Sequence, residues 1–504
     1  MDPCALENSP ERSAARLYEE GRFTAYLKAT AAATSVEQRF MRVRALTRKG
    51  DFRGALDEIA AIGPMSSGDE AMLLALKSLC HSYLGDPDSA RAALAAVRPK
   101  PYGPAVKLEL AYAKMAIAWG KNDPDAMDRA LLAVDVSASP NLYARWLHGR
   151  SWACALRGQY AAQLSFLEHA AKQLRLETAA PDVFLDATTT RAIVHLVREI
   201  YAQETFALAV RLVETVQWHE ELEHERFLTY RGLAWAYALR GMHEKAFEYA
   251  YRARDVASSD MWVAASYSDQ AYLARMAGQT RVSDALLEHA MLRATTTDWT
   301  SRGEERISLL NLAELIADRN PEAAANLLRI YDAIPTRVAP ALALSRDSRL
   351  PAMENYARGT VLAALGRRSE AVEHLTNAYA TFCTIGYAWR AAASALRIHV
   401  VTEQDAWLRY AAEAVAEFQE SSVAEAIRRR AAAANVDPRV SALTPAQRRV
   451  FALMCEGLGD KEIAQRLNIS PETAKNHAAK VRSAFGVRSR AAVIASSRAL
   501  AAAV

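Results

Sequence analysis

Cysteine, proline and glycine are sparse in this chain of 504 residues, which holds 5, 17 and 20 of them. Cys4, Cys80, Cys154, Cys383 and Cys455 lie far apart and never form a CxxC pair. A zinc ribbon or CxxC redox motif is therefore excluded, and reduced, mostly buried thiols in a cytoplasmic protein are expected. No proline occurs between Pro181 and Pro321. Such a stretch can hold long helices, but it lacks the turn chemistry of an all-β fold. No uncharged apolar run reaches the length of about 18 residues that spans a membrane. The first residues carry charges and no apolar h-region, so neither a membrane span nor a signal peptide is expected.

Catalytic signatures are missing as well. Gly-Lys occurs only at Gly120-Lys121 and is followed by Asn122, so no phosphate-cradling Gly-Lys-Ser/Thr loop is present. Neither GxSxG nor HExxH occurs. His195, His219 and His224 show no metal-ligand spacing. No enzyme activity, metal or cofactor is expected.

What is present is apolar residue, at 51% of the chain, and a skewed charge distribution beneath a net +4. Residues 441–504 carry ten basic and four acidic groups, against 52 and 54 in the remainder. The charge suited to a polyanion therefore sits at the C-terminal end.

Self-comparison shows a recurring Gly-x-aromatic-x-x-Ala element after an apolar helical stretch. Copies stand at Gly50/Ala55, Gly85/Ala90, Gly120/Ala126, Gly158/Gln163, Glu204/Ala209, Gly241/Ala246, Gly278/Ser283 and Gly366/Ala371, with weaker ones at Gly21 and Asp318/Ala323. The glycine ends one helix in a tight turn, and the small residue sits where the next helix crosses it closely. Ala253 and Ala378, seven positions after Ala246 and Ala371, continue that face. The pattern resembles a degenerate tetratricopeptide array of nine or ten repeats over roughly residues 8–430; an unrelated α-solenoid is the other reading. The wide gaps before Asp318 and Gly366 imply an insertion, with residues 336–351 as its loop. Trp218, Tyr230, Trp235, Tyr237, Tyr249, Tyr251, Trp262, Tyr267, Tyr272 and Trp299 either line a groove for a peptide, protein or small-molecule inducer or pack between hairpins.

Asn435 and Pro438 break the helical pattern. After them, Thr444-Pro445-Ala446-Gln447 has the form of a capping box with proline at the first helical position. Val450, Phe451, Leu453 and Met454 are the expected core of a first helix, and Ile463, Ala464 and Leu467 of a second. Asn468-Ile469-Ser470 reads as a turn, with Ile469 inward. Ser470-Pro471-Glu472 opens a third helix whose buried stripe is Ala474, Ala478, Val481 and Phe485.

Residues 443–494 resemble the LuxR-type helix-turn-helix without gaps. Departures from the family pattern are Gln447 for Glu, Gly459 for Ser, and Ala474 and Ala478 for Val and Leu. The resemblance implies a recognition helix in the major groove of double-stranded DNA. Lys475 and Asn476 are the leading candidates for base reading, with Thr473 and Ala479 on the same face. Lys461, His477, Lys480, Arg488, Ser489 and Arg490 are phosphate candidates. A fourth helix near 489–500 is the family's frequent dimer contact, so a homodimer is expected.

The reading is an all-α chain. A tetratricopeptide-like α-solenoid over residues 1–434 senses a ligand or partner. A linker follows at 435–442, then a four-helix LuxR-type DNA-binding domain at 443–504. The smaller residues at 474 and 478 also allow another reading, an interaction scaffold whose helix-turn-helix no longer binds DNA.

Overall fold

Short polar residues start many of these helices. A computed structural model of the protein describes residues 10–136, 139–176, 182–200, 203–219, 222–299, 306–334, 349–434, 439 and 443–501. Among them are 27 helices and no strand. Asp86, Asp123, Ser139 and Asn320 each accept a backbone N–H through the side chain, and each is followed by proline at the start of its helix. That proline forgoes only an amide with no intrahelical partner.

The helices pair as antiparallel hairpins. In order they are α1 (Pro10–Glu19) with α2 (Phe23–Ala29), α3 (Val36–Lys49) with α4 (Phe52–Ala60), α5 (Ser67–Tyr83) with α6 (Pro87–Ala95), and α7 (Pro104–Gly120) with α8 (Pro124–Leu132). Next come α9 (Pro140–Leu156) with α10 (Tyr160–Gln173), α11 (Val183–Glu199) with α12 (Gln203–Thr215), and α13 (Glu223–Ala238) with α14 (His243–Asp255). The last are α15 (Asp260–Met276) with α16 (Thr280–Thr296), α17 (Ile307–Ile316) with α18 (Pro321–Ala333), α19 (Arg349–Ala364) with α20 (Arg368–Ile385), and α21 (Ala388–Thr402) with α22 (Asp405–Ala414). Eleven hairpins are thus described, more than the nine or ten expected.

One rule governs most of the turns. A residue with positive φ ends the first helix, and the residue five positions on is buried. Gly50, Gly85, Gly241 and Gly366 have φ of 72–79°, and Ala55, Ala90, Ala246 and Ala371 are no more than 1% exposed. Two expected registers are corrected, the first by the same geometry. Gly120 is helical; Asn122 takes the left-handed conformation (φ 56°), and Met127 fills the crossing where Ala126 was expected. Near 318 the buried alanine is Ala324, one position beyond Ala323. An unrecognised eleventh turn is made by Glu403 (φ 59°) with Leu408 buried after it. Of the expected loop 336–351, residues 336–348 lie outside the described residues, and Arg349–Pro351 already belong to α19.

Gly359 on α19 shows how closely the two helices of one hairpin meet. A Cβ there would stand 2.7 Å from Leu375 Cγ and 3.0 Å from the Ala371 carbonyl oxygen on α20. Alanine gains about 1 kcal/mol of helix propensity, but overpacking costs about 1–3 kcal/mol. Gly359→Ala is therefore expected to lower the urea midpoint despite the better helix former, and a raised midpoint would refute the close approach.

Much of the aromatic band packs within and between hairpins, while Tyr251 is exposed and Tyr272 borders a cleft. Trp235, Tyr237, Tyr249 and Trp299 are buried, Phe227 stacks on Trp262 at 4.9 Å, and Tyr237 stacks on Tyr249 at 5.6 Å. Hairpins remote in sequence also touch. Arg48 on α3 bonds Asp182, the cap of α11, at 2.6 and 2.8 Å. Arg390 on α21 donates to both oxygens of Glu314 on α17 at 2.9 and 3.0 Å and to Asn311 at 3.0 Å. These contacts bind the array beyond nearest neighbours, unlike a purely one-dimensional repeat stack.

The chain divides into two compact units, Met1–Glu425 and Ala426–Val504. The division falls within α23 (Ser422–Ala434). The segment 435–442, read as a linker, lies outside the described residues apart from Arg439. Among the described residues no helix is long and apolar enough to cross a membrane.

Candidate nucleic-acid interface

The second unit holds α24 (Pro445–Cys455), α25 (Asp460–Leu467), α26 (Pro471–Ala484) and α27 (Arg490–Ala501). Each start has a local cause. Thr444 Oγ1 accepts from the Gln447 N–H at 3.4 Å, and Gln447 Oε1 accepts from the Thr444 N–H at 2.9 Å. Gly459 has no side chain to cap α25, so Glu462 supplies the reciprocal half alone, accepting the Gly459 N–H at 2.6 Å. Asn468 closes α25 in the left-handed conformation. Ser470 then caps α26, accepting from the Thr473 N–H at 3.0 Å.

These starts fix which face of α26 is buried. Ala474, Ala478, Val481 and Phe485 join Val450, Leu453, Met454, Ile463 and Ala464 in one core, with Phe451, Leu467 and Ile469 partly buried at its edge. Phe451 stacks on Phe485 at 5.2 Å, and the Arg439 guanidinium lies 4.8 Å over the same Phe485 ring. Ala474 and Ala478 are fully buried. The small residues thus belong to the packing of α26 and are not displayed.

The opposite face presents Thr473, Lys475, Asn476, Ala479 and Lys480, all exposed. The Thr473 hydroxyl is 2.8 Å from Ser470 Oγ, so it is held by the cap. Lys475 stands 3.9 Å from Glu472 with both side chains well exposed. A pair so solvated is weak and yields readily to a stronger acceptor. Lys461 on α25 is exposed. His477 is half-buried, and its Nδ1 is buried with no partner among the described residues.

Arg488 and Ser489 are exposed ahead of α27. Ser489 Oγ accepts the Ala492 N–H at 3.1 Å and caps that helix. Arg490 is placed differently from its neighbours. Its guanidinium bonds the Leu458 carbonyl and the Asp460 carboxylate, tying the start of α27 to the start of α25. Its fork is committed within the unit, and a separation of 30 residues hid that partnership from local sequence patterns.

Arg490→Gln therefore separates two roles. A structural role destabilises the second unit by about 1 kcal/mol for a part-exposed pair and leaves the salt dependence of any DNA binding unchanged. A phosphate contact instead reduces the salt slope by about 1.

Residues 441–497 match the family model described as bacterial regulatory proteins, luxR family (GerE). No curated protein matches the chain. Among solved structures the chain is similar to the human IFIT1 dimer with PPP-AAAA, at 13% identity over 83% of this chain and 95% of that one, with a TM-score of 0.39. It is also similar to a Rap protein complexed with Competence and Sporulation Factor, at 11% identity over 68% and 99%, with a TM-score of 0.37. These matches cover much of each chain, but their superposition is loose. Capping, buried stripe and family match coincide on the same residues, and the chain thus ends in a LuxR-family helix-turn-helix domain.

Proposed function

We propose that this protein is a sequence-specific, cytoplasmic transcription regulator that binds double-stranded DNA as a homodimer through α26. In this reading the helical array, residues 1–434, is the sensor, 435–442 is the linker, and 443–504 is the DNA-binding domain. The observation that carries it is the two-sidedness of α26. Its alanine stripe is buried, while Lys475 and Asn476 in its N-terminal half, and Ala479 and Lys480 one turn on, stand exposed on the other face. A recognition helix reads base edges mainly with its N-terminal residues. Lys475 offers donors suited to guanine, and Asn476 offers the bidentate pair suited to adenine.

Lys461, Lys480 and Arg488, with the capped start of α27 at Ser489, are suited to phosphates on either side. His477 is only partly available, and Arg490 is assigned to holding α25 and α27 together. The dimer is carried over from the family resemblance of α27.

The test is a gel-shift of the full chain on genomic fragments across a salt series. Specific complexes that weaken steeply with salt are expected, because phosphate contacts release counterions. Absence of salt-sensitive binding by the full chain and by a 436–504 fragment would overturn the reading and favour a protein-interaction scaffold.

A further inference from the structure

The helical array holds a cleft of about 370 Å³, within the range of small-molecule sites, roughly 300–1,000 Å³. It lies among α15, the end of α17, α19 and α21, and reaches Ser422 at the start of α23. One side is carbon-rich: the rings of Tyr272 and Tyr356 with Met276. The other side is ionic and incompletely balanced. Asp318 is taken up by Arg397, with Nη1 to Oδ2 at 2.9 Å. Glu314 also faces the cleft and is answered by Arg390 from within the array. Arg275 and Arg319 share one carboxylate, Asp284, both bonding the same oxygen, Oδ1, and Arg275 Nε also donates to Ser283 Oγ at 3.4 Å. Two guanidiniums on one oxygen leave unspent donors and one surplus positive charge.

We propose that this cleft binds a small organic carboxylate whose acid group bridges Arg275 and Arg319 while its hydrocarbon body lies against Tyr272, Tyr356 and Met276. The charge count selects the class. One surplus positive charge matches a monoanion, whereas a phosphate ester carries about −1.5 to −2 near neutrality. The planar guanidinium fork suits a carboxylate, and the carbon-rich wall suits an apolar body. This inference rests on the array being the sensor and names its ligand class. Ser422 gives the site a path to a response, because an occupant touching it bears on the first residue of the helix that leaves the array. The ligand acts only by binding one arrangement of α23 better than another.

The test uses the full chain without DNA and a series of short straight-chain and aryl carboxylates, each paired with its uncharged amide. At least one acid is expected to raise the melting temperature saturably while its amide does not. Arg319→Gln is expected to weaken that acid about tenfold, the loss of one charge-assisted bond. The Arg319 side chain is 46% exposed, so the variant retains its core, and its ligand-free melting curve checks this. Arg275→Gln serves as the second variant. The proposal is overturned if no acid in the series shifts the melting curve, if amides act as well as acids, or if both variants bind as wild type does. Because DNA is absent, these outcomes are independent of the helix-turn-helix. A chain that binds the acid but no DNA would keep the site and lose its regulatory meaning.

Discussion

Lys475→Ala and Asn476→Ala are each expected to flatten the base preference of the protein at one position of its site, by about 1–3 kcal/mol per contact. Both side chains are exposed and neither joins the core of the second unit. Their removal should therefore leave that unit folded. The measurement is competitive binding to duplexes enriched by the wild type from a random pool, against point-mutated versions of the same sites. Lys480→Ala is the internal control. As a phosphate contact it should weaken all duplexes alike and reduce the salt slope by about 1. The geometry adds one refinement. Lys475 begins within 3.9 Å of Glu472, so its approach to a base exchanges a weak solvated pair for a desolvated one. Glu472→Gln should therefore tighten binding to every duplex by removing a carboxylate near the phosphates. If both the Lys475 and Asn476 variants discriminate as the wild type does, the placement of α26 in the groove is wrong.

How much of this was legible in the sequence follows the range of each interaction. The capping box at Thr444 and Gln447, the Ser470-Pro471 start and the stripe from Ala474 to Phe485 are local. Each is set by residues a few positions apart on one helix. The hairpin rhythm was legible for the same reason wherever glycine marks the turn. It slipped at Asn122 and Glu403, because non-glycine residues adopt positive φ there and carry no glycine signal. The alanine slot moved with the turn, from Ala126 to Met127, because the crossing is fixed by distance from the left-handed residue and not by residue type. Arg490 looked like its basic neighbours Arg488 and Lys480 until Asp460 was seen beside it. The cleft was not legible at all. Its two guanidiniums and their shared Asp284 come from three elements that only the fold brings together.

The more buried of the two ion pairs between remote hairpins should also give the largest stability effect. Arg390→Met is expected to destabilise the array by about 3–5 kcal/mol at neutral pH, the cost of leaving a buried charge without its partner. The Arg390 and Glu314 side chains are 3% and 5% exposed, and the guanidinium also lies 4.3 Å over the Trp389 ring. Its loss removes packing as well as charge. Burial, the largest influence on Glu314, already holds its carboxyl above the ordinary value, against the pull of Arg390. The sign follows from that direction. A carboxyl with a raised folded pKa favours folding at acidic pH, and this contribution is lost as pH rises through the folded value. Without Arg390 the pKa rises further, so the variant should recover part of its stability on mild acidification. Glu314→Gln combined with Arg390→Met should recover most of the charge penalty at neutral pH. Segment-resolved hydrogen exchange is the suitable readout, because a long array need not unfold in one step. Protection should fall first in α17 and α21, which the pair joins. A variant as stable as wild type at neutral pH, or a loss unchanged by acidification, would show that this ion pair does not hold the remote hairpins together.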